Sequence, residues 1–537
     1  MSERAAFTEF CTLHPWLNIG STGESTQLIT IKMTSYESLT WRQASPGIWQ
    51  RGIDEIEEFY STMAVLYEGS GRLFFGITGF LSLSVDIAAS EDPAAAGEGV
   101  RHALQKGWLA LRYHHPTLAS QVTRDDQGKW TKTYRGCADE QDRNRWLQQT
   151  FVTVSNGQTG LEWANSDPPA PQLPTLFVIG PREAQEQTVR YDLVFRSPHD
   201  IIDGIGTLMM LNNLVGHASE AYAQGATYRT PALDGSEAAN LSPPYRIAAA
   251  VPAQLSEAQK ERLQTVTAQK AQVRADTSVE MLALPFREGA QVPGVHKRTA
   301  LTLSVGETAG LLAACKAASV TPTHVFHAAA AVVDRDLQPV SEAPRRVRYI
   351  NYILRNERAG CAEPFGTSKH PAALYHSVSG QSLVVDMDIT PGKADAATRK
   401  EEFHSIVRHM SEFYNEVRND SEHAALVPDL WAMGTPELPL APRPLPVPAP
   451  NSHPSVSISS MGRVDTIVSP RTGAFDVLDA WVTGEELGTG LGIFLGSFRG
   501  RLCVSAAYND AWHNEAGVSD FLQRAKDVVW TGMDLGV

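Results

Sequence analysis

The sequence predicts a fold of two lobes, each of which contains both helices and strands. Its 537 residues are too many for one compact core, since domains usually hold about 100–200 residues. Strand-like and helix-like segments follow one another in both halves, which favours the α/β class. The composition, with 42% hydrophobic and 20% charged residues, is typical of a globular protein. We therefore expect two α/β lobes joined by a crossover segment.

The first lobe shows both the period-two pattern of strands and the spacing of helices. Apolar and polar residues alternate over 188–196, which predicts a half-buried strand. Apolar residues at helical spacing follow, beginning with Ile201 and Ile205, and they predict a helix of about six turns. The other expected elements are a strand at 27–33, helices near 53–67 and 100–113, and buried strands within 73–85 and 173–180.

The second lobe opens with a helix start. Glu307 stands three residues after Ser304, which is the spacing of a capping box. A second helix starts at Thr321-Pro322, a suitable N-cap followed by a first-turn proline. The other expected elements of this lobe are strands at 347–354 and 381–389, a helix at 399–418, an extended proline-rich stretch at 436–454, a strand at 455–458, a hairpin of 491–498 and 502–508, and a helix at 518–530. A polar helix at 256–275 is expected in the segment that joins the lobes. We place the boundaries at 1–240, 241–298 and 299–537, the middle segment being the crossover.

Charge and cysteine content exclude several classes of function. The net charge is −14 and no long basic run occurs, so we expect no nucleic-acid partner. The five cysteines are odd in number and widely spaced, which argues against a disulfide framework and a zinc site. We find neither a signal-peptide pattern nor an apolar run of about 20 residues, so we expect a cytoplasmic protein without a membrane span.

The most informative segment is 199–204, which reads H-x-x-x-D-G. It lies where the strand at 188–196 gives way to the six-turn helix, so His199 should project from a turn with Asp203 behind it. A neutral imidazole suits a general base, because its ordinary pKa lies near working pH. Gly204 would let a backbone or ligand approach closely.

With this motif in place, the chain resembles the CoA-dependent acyltransferase superfamily, which includes chloramphenicol acetyltransferase, BAHD-type enzymes and peptide-synthetase condensation domains. Three further segments resemble landmarks of that superfamily. They are the R-x-x-H-P-x-L pattern within 107–118, the lobe opening from Ser304 to Thr323, and the segment 459–465. The resemblance spans about Gly107 to the C-terminus and implies two chloramphenicol-acetyltransferase-like lobes with a substrate channel at their interface.

Within the superfamily the chain looks most like fungal O-acetyltransferases of secondary metabolism, such as trichothecene O-acetyltransferases. Condensation domains usually carry two adjacent histidines, but Pro198 occupies the first position here, and no D-F-G-W-G segment occurs. Both departures favour a freestanding O-acyltransferase. Two alternatives stay open: a condensation-type enzyme that forms an amide or ester from a carrier-bound thioester, and a binding protein without catalysis.

The resemblance also implies a mechanism and its residues. His199 would deprotonate a hydroxyl of a small secondary metabolite as that oxygen attacks an acyl-CoA thioester, with acetyl-CoA the expected co-substrate and no permanently bound cofactor. Asp203 would support the loop by pairing with an arginine, for which we choose Arg355 because it ends a predicted strand. Ser460, or a backbone N–H near Gly462, would stabilise the oxyanion. We expect a monomer.

Other histidines admit a second interpretation. His324 and His327 lie three residues apart on one predicted helix, a spacing that metals can use. No third ligand completes a site in the sequence, so we expect no metal.

Overall fold

The fold is described by a computed structural model that covers residues 36–87, 92–182, 188–289, 292–340, 342–392, 395–438 and 456–536. The expected strand at 27–33 lies outside these ranges, as does nearly all of the proline-rich stretch at 436–454. The other expected elements fall within them.

Helices and strands follow one another along the whole described chain. The helices are α1 (Tyr36–Leu39), α2 (Glu55–Leu66), α3 (Pro93–His114), α4 (Glu140–Thr150), α5 (Gly160–Ala164), α6 (Gly204–Gln224), α7 (Tyr245–Ala248), α8 (Glu257–Ala275), α9 (Val305–Ala317), α10 (Pro322–Asp336), α11 (Ala396–Asn419), α12 (His423–Gly434) and α13 (Glu515–Gly532). The strands are β1 (Arg42–Ser45), β2 (Ile48–Arg51), β3 (Ile77–Asp86), β4 (Ser120–Arg124), β5 (Trp130–Arg135), β6 (Phe151–Val154), β7 (Thr175–Arg182), β8 (Thr188–Ser197), β9 (Glu280–Met281), β10 (His296–Thr302), β11 (Arg345–Asn351), β12 (Leu354–Asn356), β13 (His376–Val378), β14 (Leu383–Ile389), β15 (Val456–Arg463), β16 (Arg471–Thr472), β17 (Phe475–Gly484), β18 (Leu491–Phe498) and β19 (Arg501–Asn509).

A six-stranded sheet of order β16-β17-β3-β8-β7-β6 forms the centre of the first lobe. Leu81 of β3 and Leu193 of β8 are fully buried and belong to the same hydrophobic core as Leu208 and Leu211 of α6. Helix α3 adds Trp108 to this core and packs along α6. Because α6 is packed against the sheet along its length, the turn between β8 and α6 is held at both ends.

The C-terminal part of the chain contributes two strands to this first sheet. Strand β17 pairs with β3 from Phe475↔Val85 to Gly484↔Ile77, and β16 lies outside it. The boundary expected at residue 299 therefore does not separate the strands of the two sheets. The division of the chain into two domains stays a prediction. The sequence analysis predicted no strand between 458 and 491, so neither β17 nor its place in the first sheet was foreseen.

The second lobe has its own hydrophobic core. A four-stranded sheet of order β10-β19-β18-β15 and a three-stranded sheet of order β14-β11-β9 share this core with α10, α11 and α13. The capping box expected at Ser304 and the N-cap expected at Thr321 are both present, and Arg499-Gly500 turns the β18–β19 hairpin with φ of 50° and 71°. The mixed α/β class is confirmed.

A third core, rich in aromatic side chains, lies beside the expected motif. Helix α2 brings Phe59 and Tyr60 to it, and α12, which the sequence did not predict, brings Trp431. The same helix carries Pro428 in its interior, a residue that normally argues against a helix. No helix within the described ranges combines the length and the hydropathy needed to cross a bilayer.

Candidate active site

His199 lies in the turn that joins β8 to α6, as the sequence predicts. Strand β8 ends at Ser197, and the helix begins at Gly204. The imidazole is partly accessible to solvent, whereas the flanking residues Ser197 and Ile201 are buried. Its Nδ1 is buried and accepts or donates no hydrogen bond among the described residues. That leaves Nε2 as the ring nitrogen available for chemistry.

Asp203 is both the N-cap of α6 and the anchor of the turn. Its Oδ1 accepts a hydrogen bond from Gly206 N at 2.7 Å, as expected for an N-cap residue. Its Oδ2 accepts from Arg358 Nη1 at 2.6 Å and from Tyr375 N at 2.9 Å. Burial disfavours the charged form, but Arg358, His376 and these hydrogen bonds lower the pKa of Asp203 overall. The carboxylate is therefore ionised and paired, and its three hydrogen bonds anchor the turn that carries His199.

Arg358, not Arg355, is the arginine that pairs with Asp203, so the prediction of Arg355 was wrong. Arg355 lies on β12, where its Nε contacts Glu357 Oε1 at 2.9 Å and its guanidinium donates to Val417 O. Arg358 follows in a short helical turn after the strand and is buried against the motif. The three-residue difference arises because the chain leaves the strand at Asn356 and turns back toward α6.

Close backbone approach occurs at Gly206 rather than at Gly204. A Cβ on Gly204 would lie 3.7 Å from Met461 Sδ, which is ordinary contact. A Cβ on Gly206 would lie 2.1 Å from Pro371 O and 2.8 Å from Arg358 Nη2, so no side chain fits there. The role expected for Gly204 thus belongs to the glycine two positions later.

A buried charge network supports the turn from the other side. Glu57 pairs with Arg51 at 2.6 Å and with Lys132 at 2.6 Å, and all three side chains are at most 5% exposed. Lys132 Nζ also donates to the backbone carbonyl of Asp200 at 2.7 Å. Burial opposes ionisation of Glu57, but the two cations lower its pKa to about 2. Glu57 therefore stays ionised at neutral pH, and the network fixes Asp200, the residue that follows His199.

Tyr60 and His376 complete the surroundings of His199, and the sequence analysis assigned neither of them to the site. The Tyr60 ring stacks on His199 with centroids 3.9 Å apart and an interplanar angle of 12°. Tyr60 Oη lies 3.0 Å from His376 Nε2, and the His376 ring centroid is 5.4 Å from that of His199. Trp431 meets His376 edge-to-face at 5.4 Å. Tyr60 comes from α2 and His376 from β13, so only the fold brings them together.

The electrostatics of the site keep both imidazoles neutral. Burial, reinforced by the neighbouring His376, lowers the pKa of His199 to about 3, although the backbone of His199 and the Asp203 charge oppose this. Burial likewise lowers the pKa of His376 to about 4, again against the Asp203 charge. The sequence suggested a base titrating near neutrality. In the folded chain His199 is fully in its base form at neutral pH.

Ser460 and Gly462 lie on β15, which passes beside the start of α6. Met461, between them, is the residue that contacts the Gly204 position. Ser460 is exposed and accepts a hydrogen bond from Thr323 Oγ1 at 3.0 Å, and Gly462 has a φ of 65° at a bulge in the strand. Their roles at the oxyanion stay predictions.

The other histidines singled out in the sequence serve packing. His327 Nδ1 lies 3.1 Å from Tyr414 Oη, and its Nε2 lies 3.0 Å from Asn351 Nδ2, so both ring nitrogens are engaged in the core. Within the described residues, no three or more His, Cys, Asp and Glu side chains are grouped as a metal site would require.

Fungal acetyltransferases are among the known proteins to which this chain is similar. No protein-family model matches the sequence. The acetyltransferase pigO of Monascus ruber is 24% identical over 511 residues, which cover 93% of this chain and 99% of the relative. The solved TRI3 trichothecene 15-O-acetyltransferase of Fusarium sporotrichioides superposes with a TM-score of 0.72 at 18% identity, over 93% of this chain and 99% of that one.

The chain is an acyltransferase, similar over nearly its whole length to fungal acetyltransferases. The first condensation domain of the CDA synthetase shares the fold more distantly, with a TM-score of 0.55 at 14% identity, over 91% of this chain and 97% of that domain. The fold of this acyltransferase is thus shared by freestanding acetyltransferases and by condensation domains. The resemblance drawn from the motif at 199–204 is confirmed.

Proposed function

We propose that this acyltransferase moves a short acyl group, with acetyl expected, from CoA to a hydroxyl of a small secondary metabolite. In this proposal His199 is the general base, and the acyl group passes directly from CoA to the acceptor without an acyl-enzyme. The observation that supports it most is the placement of His199: a neutral imidazole with one buried nitrogen, held by a turn whose N-cap carboxylate is paired with Arg358. The acetyltransferase names of relatives that span nearly the whole chain support the reaction class.

In the proposed reaction, His199 Nε2 accepts the proton of the acceptor hydroxyl while the hydroxyl oxygen forms a bond to the thioester carbonyl carbon. The tetrahedral intermediate collapses with cleavage of the carbon–sulfur bond. The imidazolium returns its proton to the departing CoA thiolate, so the enzyme ends as it began. General-base catalysis of this kind contributes about 10²–10⁴-fold, and positioning two substrates together supplies much of the rest.

The experiment that tests this proposal measures free-thiol release from acetyl-CoA in the presence of a panel of primary and secondary alcohols. The expected result is thiol release that depends on both the alcohol and the enzyme, with an acetyl ester as product. His199→Ala should abolish it. Absence of thiol release with every alcohol tested would count against an acyl-CoA-dependent O-acyltransferase.

The second candidate is a condensation-type reaction that uses a carrier-bound thioester, and the fold shared with a condensation domain favours it. Offering the same acyl group on a phosphopantetheinylated carrier protein separates the two. Transfer from the carrier but not from CoA would support condensation. Cytoplasmic location and a monomeric state stay predictions.

A further inference from the structure

Two aromatic side chains around His199 form a chain of contacts that the proposed mechanism does not yet use. Tyr60 lies flat against the imidazole with centroids 3.9 Å apart, and its phenol oxygen is 3.0 Å from His376 Nε2. His376 Nδ1 is in turn 3.9 Å from Asp203 Oδ2. We call Tyr60 and His376 the Tyr60–His376 pair.

The direction of the hydrogen bond within this pair follows from its neighbours. His376 Nδ1 makes no hydrogen bond among the described residues, but the negative charge of Asp203 3.9 Å away favours the His376 tautomer whose proton is on Nδ1. His376 Nε2 is then an acceptor, and the Tyr60 phenol donates to it. Burial raises the pKa of Tyr60 well above its ordinary value, so the phenol retains the proton that it donates.

A phenol that donates a hydrogen bond holds more electron density on its oxygen and its ring. An aromatic face attracts a cation placed within about 6 Å of its centroid, and the attraction is strongest where water is excluded. In the ground state His199 is neutral, so the Tyr60 ring stabilises it little. When it takes up the acceptor's proton it becomes an imidazolium directly against the ring, so the interaction strengthens in the transition state.

We propose that the Tyr60–His376 pair is a positioning device for the transfer reaction, in which His376 fixes and polarises Tyr60 so that its ring stabilises His199 as the imidazole becomes charged. This inference rests on the proposed function, because it needs His199 to accept a proton. His376 acts through Tyr60 and is therefore a positioning residue. Trp431 packs edge-to-face on His376 and at 5.4 Å from Tyr60, which holds the pair in register.

The test compares kcat and KM for acetyl-CoA and the best alcohol of the panel in four variants. Tyr60→Leu removes the aromatic face and should lower kcat by up to about 30-fold, the upper range of a desolvated cation–π interaction, with KM nearly unchanged. Tyr60→Phe and His376→Leu each remove the same hydrogen bond and should each lower kcat by about 3-fold. His376→Gln, whose amide oxygen can accept from the phenol, should recover most of this loss.

The double variant Tyr60→Phe/His376→Leu should be no slower than either single variant, since both changes remove one interaction. Tyr191→Phe is the matched control, because its buried phenol donates to Gly97 O at 3.0 Å, away from His199.

Wild-type kcat in Tyr60→Leu, a loss confined to KM, or multiplying losses in the double variant would overturn the inference. If Tyr60→Leu fails to fold, the kcat values of Tyr60→Phe, His376→Leu and their double variant decide whether the inference holds. Full turnover in His199→Ala would instead overturn the proposed function.

Discussion

Replacing His199 with alanine is expected to lower kcat by about 10²–10⁴-fold while the protein stays folded. In the proposed reaction the imidazole takes the acceptor's proton at Nε2, because Nδ1 is buried. Little stability should be lost, because the side chain is partly accessible and makes no hydrogen bond through Nδ1 among the described residues. The measurement is the initial rate of thiol release at saturating acetyl-CoA and alcohol.

The control for this prediction is His102→Ala. His102 is on the surface of α3 with its side chain 57% exposed, and its loss should change neither kcat nor stability. Wild-type turnover in His199→Ala would remove His199 from the role of base and would favour the binding-protein alternative or another catalytic group.

Replacing Arg358 with methionine is expected to have the largest effect on stability near the site. The Arg358–Asp203 pair is at most 4% exposed, and removing the arginine leaves a buried carboxylate without its cation. Breaking such a pair costs about 3–5 kcal/mol in free energy of unfolding. The released turn should also shift His199, and a displacement of about 1 Å lowers turnover by about 10²-fold. Urea unfolding and kcat are measured on the same preparation.

Arg348→Met provides the comparison for this second prediction. Arg348 pairs with Asp386 through two hydrogen bonds of 2.6 and 2.8 Å in the second lobe, so its loss should lower stability without a selective effect on kcat. Arg355→Met should leave the motif intact, because Arg355 contacts Glu357 and not Asp203. If Arg355→Met impaired turnover as strongly as Arg358→Met, the assignment of the pair would be wrong.

Local patterns predicted the helices and strands whose signals lie within one short segment, but they did not predict the sheet formed by β1, β2, β4 and β5. The alternation of β8, the spacing of α6, the capping box at Ser304 and the N-cap at Thr321 are each visible within one short segment. The sequence did not reveal α12, which contains a proline, or the pairing of β17 with β3. Those features depend on tertiary packing and on contacts between segments far apart in the chain.

The residues of the candidate site likewise fall into those that a short motif reveals and those that only the fold brings together. His199 and Asp203 were found because one motif carries both. Tyr60 and His376 lie 316 residues apart, and Arg358 lies 155 residues from Asp203, so no short pattern could join them. An arginine near the end of a second-lobe strand was the available signal, and it indicated the right region but the wrong residue. The low pKa of His199 was also hidden, since burial is a property of the folded chain.

The dependence of kcat/KM on pH tests most directly the claim that a neutral His199 takes the acceptor's proton. This parameter reports the free enzyme, in which burial lowers the pKa of His199 from 6.5 to about 3. The base form is lost as pH falls through the folded pKa, so wild-type kcat/KM should stay level through pH 6.5 and decline only well below it. The residual activity of His199→Gln should lack this decline, with folding checked by circular dichroism at each pH. A wild-type decline centred near pH 6.5, or the same decline in His199→Gln, would contradict the account.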